Sequence, residues 1–356
     1  MEKLKSVHLI SMYGYQNKKL KCGILRRQYP LFQKHERRSM FKTILIRCLQ
    51  ILPSLFVVVT LTFILTRMIP GDPARAVLGP QASVQDVQKM RETMGLDQPL
   101  VSQYKDYMIQ IAKGDFGVSY SYNQPVLGLI AKRIPNTLLL ALPSILIALI
   151  AGLSIGVTSA VRQGTLVDYL FMILALVGVS MPIFWLGLML VLVFSVHLGW
   201  LPVLGMGSMS SGIGDVIRHM VLPCFCLATI PTATFSRITR SSILESIHGD
   251  SIRALRARGI RESVVIWKYA LKSALPPVIT VLGLQLAGCF AGAILTETIF
   301  AWPGMGTLIV GAIDNRDYAL IQGAVLVIAL AFVIINMLVD VVYMIINPNV
   351  SYEGGF

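Results

Sequence analysis

The sequence predicts an all-α membrane protein with six transmembrane helices, and two observations support this fold class. The first is composition: 55% of the 356 residues are hydrophobic and only 14% are charged, whereas soluble domains carry about a quarter charged residues. The second is arrangement: six apolar stretches are each long enough to cross, as a helix, a hydrocarbon core about 30 Å thick. We place these spans at 43–68, 136–161, 168–197, 217–239, 273–297 and 319–345.

The third span is longer than one perpendicular crossing requires. It contains Ser180-Met181-Pro182, and a proline cannot donate the hydrogen bond of a helix interior. We therefore expect this span either to tilt strongly or to bend at Pro182.

The basic residues predict the orientation. Residues 1–47 hold twelve Lys and Arg against Glu2 and Glu36, and residues 237–272 hold eight against three acids. The net charge of +13 therefore gathers at the ends of spans on one side, which is typical of membrane topology rather than of nucleic-acid binding. We expect both termini in the cytoplasm, with the long segment 69–135 outside.

The ends of the chain lie outside the predicted spans. Residues 1–39 are basic and lack the apolar core of a secretory signal. We expect a basic, disordered cytoplasmic tail that contacts anionic lipid headgroups; alternatively, translation begins at Met40. We assign 40–350 to one membrane domain and 351–356 to a C-terminal tail.

The sequence lacks the motifs of several function classes. There is no Gly-x-x-x-x-Gly-Lys-Ser/Thr phosphate loop and no His-Glu-x-x-His pair, so we expect no ATP hydrolysis, catalytic residues, metal or cofactor in this chain. An ion-coupled carrier, the alternative function, usually needs ionisable groups at membrane depth. The charged candidates lie instead near the ends of the spans: Arg47, Asp168, His197, Glu297 and Asp340.

A short cytoplasmic helix is predicted between spans four and five. Asp250 can cap its N-terminus, and Gly259 suits the left-handed residue that ends a helix. Ile252 and Leu255 share one face, and Arg256 and Arg258 fall near the C-terminal end, where the helix dipole favours cations. Two interpretations remain open at this point: a basic helix attached to lipid headgroups, or a docking helix for a cytoplasmic partner.

Several blocks of sequence, in order, resemble the B-type permeases of the oligopeptide/dipeptide/nickel ABC importers. The segment from Gly249 to Gly259 is similar to their cytoplasmic coupling loop, although Leu255 stands where Ala is usual and Pro276 where Leu is usual. The other blocks are Ile69-Pro70-Gly71-Asp72-Pro73, Leu96-Asp97-Gln98-Pro99, Gln103-Tyr104, Gly114 to Ser119, Arg237 to Ser242, Tyr269 to Pro277, Glu297 to Gly306, Arg316-Asp317-Tyr318 and Asn347-Pro348.

This resemblance implies a type I ABC importer permease fold, a location in a bacterial inner membrane and a set of partners. A homologous second permease would complete the pathway, cytoplasmic ABC ATPases would supply energy, and an external solute-binding protein would deliver peptides or related solutes, metal chelates included. The residues it marks for ATPase coupling are Asp250, Arg253, Ala254, Leu255, Arg256 and Gly259.

Three further features of the sequence have alternative interpretations. Gly288 and Gly292 have the small-xxx-small spacing that lets helices approach closely, either within the chain or at the partner permease. Glu297, at the outer end of span five, is a candidate for facing a pore. The segment 69–135 is expected to form a helical cap that stabilises the bundle or contacts the binding protein.

Overall fold

The computed structural model of the chain describes residues 51–346. The expectations for residues 1–39, for the start of the first span, for Asn347-Pro348 and for 351–356 lie outside the described residues, as does the Asp340 side chain. By its internal contacts the chain divides after Ser54, and the account below concerns the larger unit, residues 55–356.

The described residues form an α-helical bundle. Five helices are long and apolar enough to cross a membrane, and a sixth crossing results if one bent pair counts as a single span. The long helices are α1 (Ile51–Met68), α5 (Val126–Val161), α8 (Ile213–Ile247), α11 (Leu271–Ile299) and α13 (Tyr318–Ile346). Within the described residues, every predicted span overlaps one of these helices or the bent pair.

The bent pair is the predicted third span. Helix α6 (Leu166–Ser180) and helix α7 (Ile183–Leu190) are separated by Met181 and Pro182 and meet at 105°. Helix α7 continues as π-helical turns over Val191–His197. The prediction of a bend at Pro182 is confirmed, and a tilted straight helix is excluded.

The segment before α5 folds into the predicted helical cap, with one addition. It contains α2 (Pro73–Leu78), α3 (Val84–Thr93) and α4 (Leu100–Ala112). Asp72 and Ser83 cap α2 and α3 by accepting hydrogen bonds from Ala74 N and Asp86 N. A two-stranded antiparallel hairpin, β1 (Val118–Ser119) with β2 (Gln124–Pro125), follows and was not predicted.

The centre of the bundle is the contact between α5 and α8. Gly152 and Gly156 lie one helical turn apart on α5. A Cβ added to Gly152 would lie 2.5 Å from Cβ of Phe235, and a Cβ added to Gly156 would lie 2.6 Å from Cβ of Thr239. The absence of side chains thus lets the two backbones approach.

Shorter helices lie at the two ends of the bundle. At one end are a 3₁₀ turn (Met209–Ser211) and α12 (Met305–Asp314), a short apolar helix that was not predicted. At the other are α9 (Asp250–Ala257) and α10 (Glu262–Val264), followed by π-helical turns over Val265–Ala270 that lead into α11.

Candidate functional site

The predicted cytoplasmic helix exists as α9, and its first residue differs from expectation. Gly249 occupies the N-cap position, so Asp250 is the first helical residue and no side chain caps the helix. The Asp250 carboxylate is fully exposed and lies 3.6 Å from Nη1 of Arg253. The predicted capping role of Asp250 is wrong, because the helix begins at Asp250 itself, one residue earlier than the pattern indicated. Its charge still lies in the first turn, where the helix dipole favours it.

The C-terminal end of α9 has the predicted left-handed glycine. Gly259 has φ +72°. Its N–H donates to the carbonyl of Arg256 at 2.9 Å, and Ile260 N–H donates to the carbonyl of Leu255 at 3.3 Å. These two bonds form a Schellman motif. No atom lies within 4 Å of the position of a Cβ on Gly259, so backbone conformation alone favours glycine there.

One face of α9 packs on its own chain. Ile252 is buried, and Leu255 packs beside it against a cluster from α5, α8, the π-helical turns before α11 and the start of α11. This cluster includes Val157, Ile243 and Val265. Leu255 was predicted to take part in ATPase coupling, but its side chain lies on this inward face. This contact holds the helix in place, and the coupling role of Leu255 stays a prediction.

Arg256 is committed to an ion pair. Its Nε and Nη2 donate to the two carboxylate oxygens of Glu262 at 3.1 and 2.5 Å, and Nη1 donates to the carbonyl of Ile247 at 3.4 Å. The hydrogen bond to Glu262 raises the pKa of Arg256. The bidentate geometry ties the end of α9 to the start of α10. Arg256 therefore fixes the position of α9 in addition to contributing a positive charge.

The outward face of α9 is left open. It carries two small residues, Ala254 and Ala257, between two exposed arginines, Arg253 and Arg258. This face is flat, because its central side chains are small, and it is positively charged. It can lie in the groove of an acidic partner or on anionic headgroups.

A buried ion pair that the sequence did not predict lies near this end of the bundle. Arg240 of α8 donates to both oxygens of Asp168 at 2.7 and 2.8 Å. Ser159 and the Gly164 N–H also donate to Asp168, whose side chain is only 3% exposed. The pair fixes the start of α6 against α8. The sequence marked Asp168 as a charge near the end of a span and Arg240 as part of the block from Arg237 to Ser242, but no pattern in it indicated that the two residues form a pair.

Glu297 lies inside the chain, not at a pore. It is fully buried and accepts hydrogen bonds from Thr137 Oγ1 and from Gly306 N–H, both at 2.6 Å. A Cβ on Gly304 would collide with its carboxylate, so that glycine permits the close fold of the loop before α12. The prediction that Glu297 faces a pore is wrong, because α12 folds back over it.

The two glycines of the small-xxx-small motif have different surroundings. A Cβ on Gly292 would lie 3.2 Å from Leu227 and 3.7 Å from Ile183, so Gly292 serves packing within the chain. Gly288 is exposed, with no atom within 4 Å of its Cβ position. Of the two, only Gly288 lies where a partner subunit could reach it.

The cap side of the bundle brings separate sequence blocks together. Arg316 Nε donates to the carbonyl of Pro70 at 2.9 Å, and Ser119 donates to Asp317 at 2.5 Å. Asp317 also accepts from the backbone N–H of Ser121 and of Leu320. The blocks that follow α1, precede α5 and begin α13 therefore form one connected structure.

Comparison with known proteins agrees with this architecture. A chain of the MetNI methionine ABC transporter, in an inward-facing conformation, matches with a TM-score of 0.52 at 17% sequence identity, over 62% of this chain and 97% of that chain. At this level of identity the match concerns the fold alone, and that fold is the predicted type I importer permease fold. The described helices thus define a multi-pass membrane protein of this fold.

The family follows from sequence comparison. The model for the inner membrane component of binding-protein-dependent transport systems matches residues 152–352, and the model for its N-terminal region matches residues 40–141. The chain belongs to this family, whose members are transport components rather than enzymes.

Two curated relatives cover almost the whole chain. The dipeptide transport system permease protein DppB of Alkalihalophilus pseudofirmus is 43% identical, over 86% of this chain and 98% of its own length. The glutathione transport system permease protein GsiC of Escherichia coli K12 is 40% identical, over 88% of this chain and all of its own length.

Proposed function

We propose that the chain is one membrane half of an ATP-driven importer for peptides or related small solutes. The observation that carries this proposal is the identity of 43% and 40% to permeases named for dipeptide and glutathione transport, over nearly their full lengths. Peptides and glutathione share a free carboxylate, a free amine and amide bonds. Residues 40–350 act as one domain in this proposal, and a second, homologous permease completes the pathway.

Cytoplasmic ABC ATPases supply the energy, and α9 is the element that they contact. Its open face, with Arg253, Ala254 and Arg258, is available to a groove, while Ile252 and Leu255 anchor the helix to α5, α8 and α11. A push on the helix is therefore transmitted to the ends of long helices. The basic loop lies on the cytoplasmic side, which places both termini there as well.

The second permease is proposed to contact α11. Leu284, Gly288 and Leu295 fall on one face of that helix and are exposed. An open glycine between leucines allows a close approach of a second helix. An external solute-binding protein delivers the cargo at the opposite end of the bundle from α9.

One test separates this function from ion-coupled transport. The observation that favours a carrier is Glu297, a buried carboxylate that takes part in none of the ion pairs between described residues. The full system would be reconstituted in liposomes with ATP on the side of α9, and ion gradients collapsed with a protonophore and a sodium ionophore. With the gradients collapsed and ATP present, we expect uptake of a labelled dipeptide to persist. Uptake should stop when ATP is omitted. If collapsing the gradients abolished uptake in the presence of ATP, the carrier would be favoured.

A further inference from the structure

Helix α4 of the cap packs along the outer part of α1. The hydroxyls of Tyr104 and Thr60 form a hydrogen bond at 2.7 Å, and the rings of Tyr104 and Phe63 lie 5.2 Å apart. Nearer the end of α1, Nε of Arg67 donates to the side chain of Gln103 at 3.0 Å. Because a helix rises about 1.5 Å per residue, these contacts extend over about 10 Å of α1, from Arg67 inward to Thr60.

The two ends of α4 lie at the same level of the bundle. Near the N-terminal end, Gln103 bonds to Arg67, whose guanidinium lies 4.8 Å from the ring centroid of Tyr318, the first residue of α13. Beyond the C-terminal end, a Cβ added to Gly117 would lie 3.8 Å from Cβ of Ala319, the next residue of α13. Helix α4 therefore follows the outer edge of the bundle and does not point away from it.

The side chains of α4 form three faces, since successive residues are about 100° apart around a helix. One face packs on α1 through Gln103, Tyr104 and Tyr107. The polar flank beside it includes Asp106 and Gln110, which line a cavity of about 360 Å³ that α4 shares with α2, α3 and the start of α13. The flank on the other side of the α1 contact is mostly apolar and consists of Val101, Lys105, Met108, Ile109 and Ala112. This apolar flank therefore faces away from the rest of the cap.

The apolar flank is accessible and borders the lipid-facing surface of α1. Val101 is 81% exposed, and Ile109 is also exposed. Phe56 lies one turn inward from Thr60, on the face of α1 that α4 covers further out, and its side chain is exposed. Because α1 is long and apolar enough to cross a membrane, its exposed apolar side chains face acyl chains. The apolar flank of α4 thus continues a surface that lipid covers.

The single charge of the apolar flank is compatible with lipid. Lys105 is exposed, and a lysine can lay its methylene stem along apolar surface while its ammonium group reaches the headgroups. Amphipathic helices with this pattern lie in the membrane interface, with the apolar face about 5–10 Å into the boundary between headgroups and acyl chains. The contacts between α4 and α1 cover a similar depth.

We propose that the apolar flank of α4 binds the phospholipid surface on the cap side of the membrane. Val101, Met108 and Ile109 lie among the upper parts of the acyl chains, and Lys105 lies at the headgroup phosphates. The membrane surface thereby holds the cap at a fixed height above the spans. This binding requires neither ATP nor a partner chain, so it can fail or succeed independently of the proposed transport function.

The first test is photo-crosslinking of the full chain in nanodiscs of phosphatidylcholine and phosphatidylglycerol, with a diazirine in the upper acyl chain of the phosphatidylcholine. The tryptic peptide 106–113 carries Met108 and Ile109, whereas the peptide 76–89 carries Val84, an exposed residue of α3. We expect lipid adducts several-fold more often on 106–113 than on 76–89. Equal adduct frequencies on the two peptides would overturn the proposal.

The second test compares two valines of the cap that are almost equally exposed, Val101 at 81% and Val84 at 77%. Each is replaced by cysteine and treated in the same nanodiscs with a membrane-impermeant maleimide; the parent chain gives the background of its own five cysteines. The reactive thiolate is disfavoured in apolar surroundings, so Val101→Cys should react at least about tenfold more slowly than Val84→Cys. Both should react fully after denaturation in detergent.

Two other occupants of the apolar flank would give different results. A flank left open to water for an external protein would let Val101→Cys react as fast as Val84→Cys, and this result would overturn the proposal. A flank reserved for a partner subunit would lose its lipid adducts when the chain is reconstituted with the rest of the proposed importer. We expect the adducts on 106–113 to persist there; their loss would also overturn the proposal.

Discussion

The two ends of the bundle each bury a carboxylate, and the two carboxylates differ in their hydrogen-bond donors. At the α9 end, Asp168 faces the guanidinium of Arg240 in a bidentate ion pair. At the cap end, Glu297 receives only neutral donors, the hydroxyl of Thr137 and the N–H of Gly306. The first arrangement joins two long helices, α6 and α8. The second holds a short helix, α12, over the end of α11.

The ends differ also in what they leave open. Helix α9 buries one face on its own chain and exposes a basic face with small residues in the middle. The region around Glu297 is covered by the chain itself: Trp302 is fully buried and donates from Nε1 to the carbonyl of Asn136 at 2.9 Å. The comparison indicates that the α9 end is suited to receive a partner, whereas the α12 region is closed by internal contacts.

The largest effect should follow from breaking the ion pair. Arg240→Met leaves the buried Asp168 without a cation, and one-sided removal of a buried pair typically costs about 3–5 kcal/mol. Because 27% of the Arg240 side chain is exposed, we expect a loss of about 3 kcal/mol. The thermal denaturation midpoint of the purified chain in nanodiscs would measure it.

A double variant provides the control for this prediction. Asp168→Asn combined with Arg240→Met leaves no buried charge and should recover part of the lost stability. A double variant less stable than Arg240→Met alone would contradict the role assigned to the pair.

A smaller effect is expected at the other end. Thr137 donates to Glu297 and accepts from the N–H of Met305 at 2.8 Å. Thr137→Val keeps the shape and removes both bonds, which should cost about 2 kcal/mol by leaving buried polar groups unpaired. The matched control is Thr229→Val, whose hydroxyl bonds only to a carbonyl of its own helix; a change within about 0.5 kcal/mol is expected there. Equal midpoints for the two variants would show that the contacts of Thr137 are dispensable.

The sequence predicted those features that depend on local pattern. Apolar length located every span, Pro182 located the bend, and Gly259 located the end of α9, because each effect is determined within one or two helical turns. The N-terminus of α9 was misplaced by one residue, since both Gly249 and Asp250 are acceptable N-cap residues.

Features that depend on distant residues could not be predicted. Glu297 looked like a residue facing water because its helix ends there, and only the fold shows Thr137 and Gly306 closing around it. The ion pair of Asp168 with Arg240 likewise joins two helices whose sequences carry no sign of contact. The separate roles of Gly288 and Gly292 depend on Leu227 and Ile183, which lie on other helices.

The central claim, that α9 docks an ATPase, is tested most directly by the ATPase that co-purifies with variants of the chain. Gly259→Val keeps the charge but penalises the left-handed conformation by about 1–2 kcal/mol, whereas Gly259→Asn tolerates that conformation better. Arg253→Gln removes a charge from a side chain that is 69% exposed and leaves the helix ends intact. Arg256→Gln removes the same charge together with the tie to Glu262, so it should fall between Arg253→Gln and Gly259→Val.

If geometry governs docking, co-purified ATPase should fall most for Gly259→Val, less for Gly259→Asn and least for Arg253→Gln, with all variants present in the membrane at equal amounts. Attachment to lipid headgroups depends instead on the number of basic residues, at about 1 kcal/mol each. A larger loss of ATPase with Arg253→Gln than with Gly259→Val would contradict the docking role of α9.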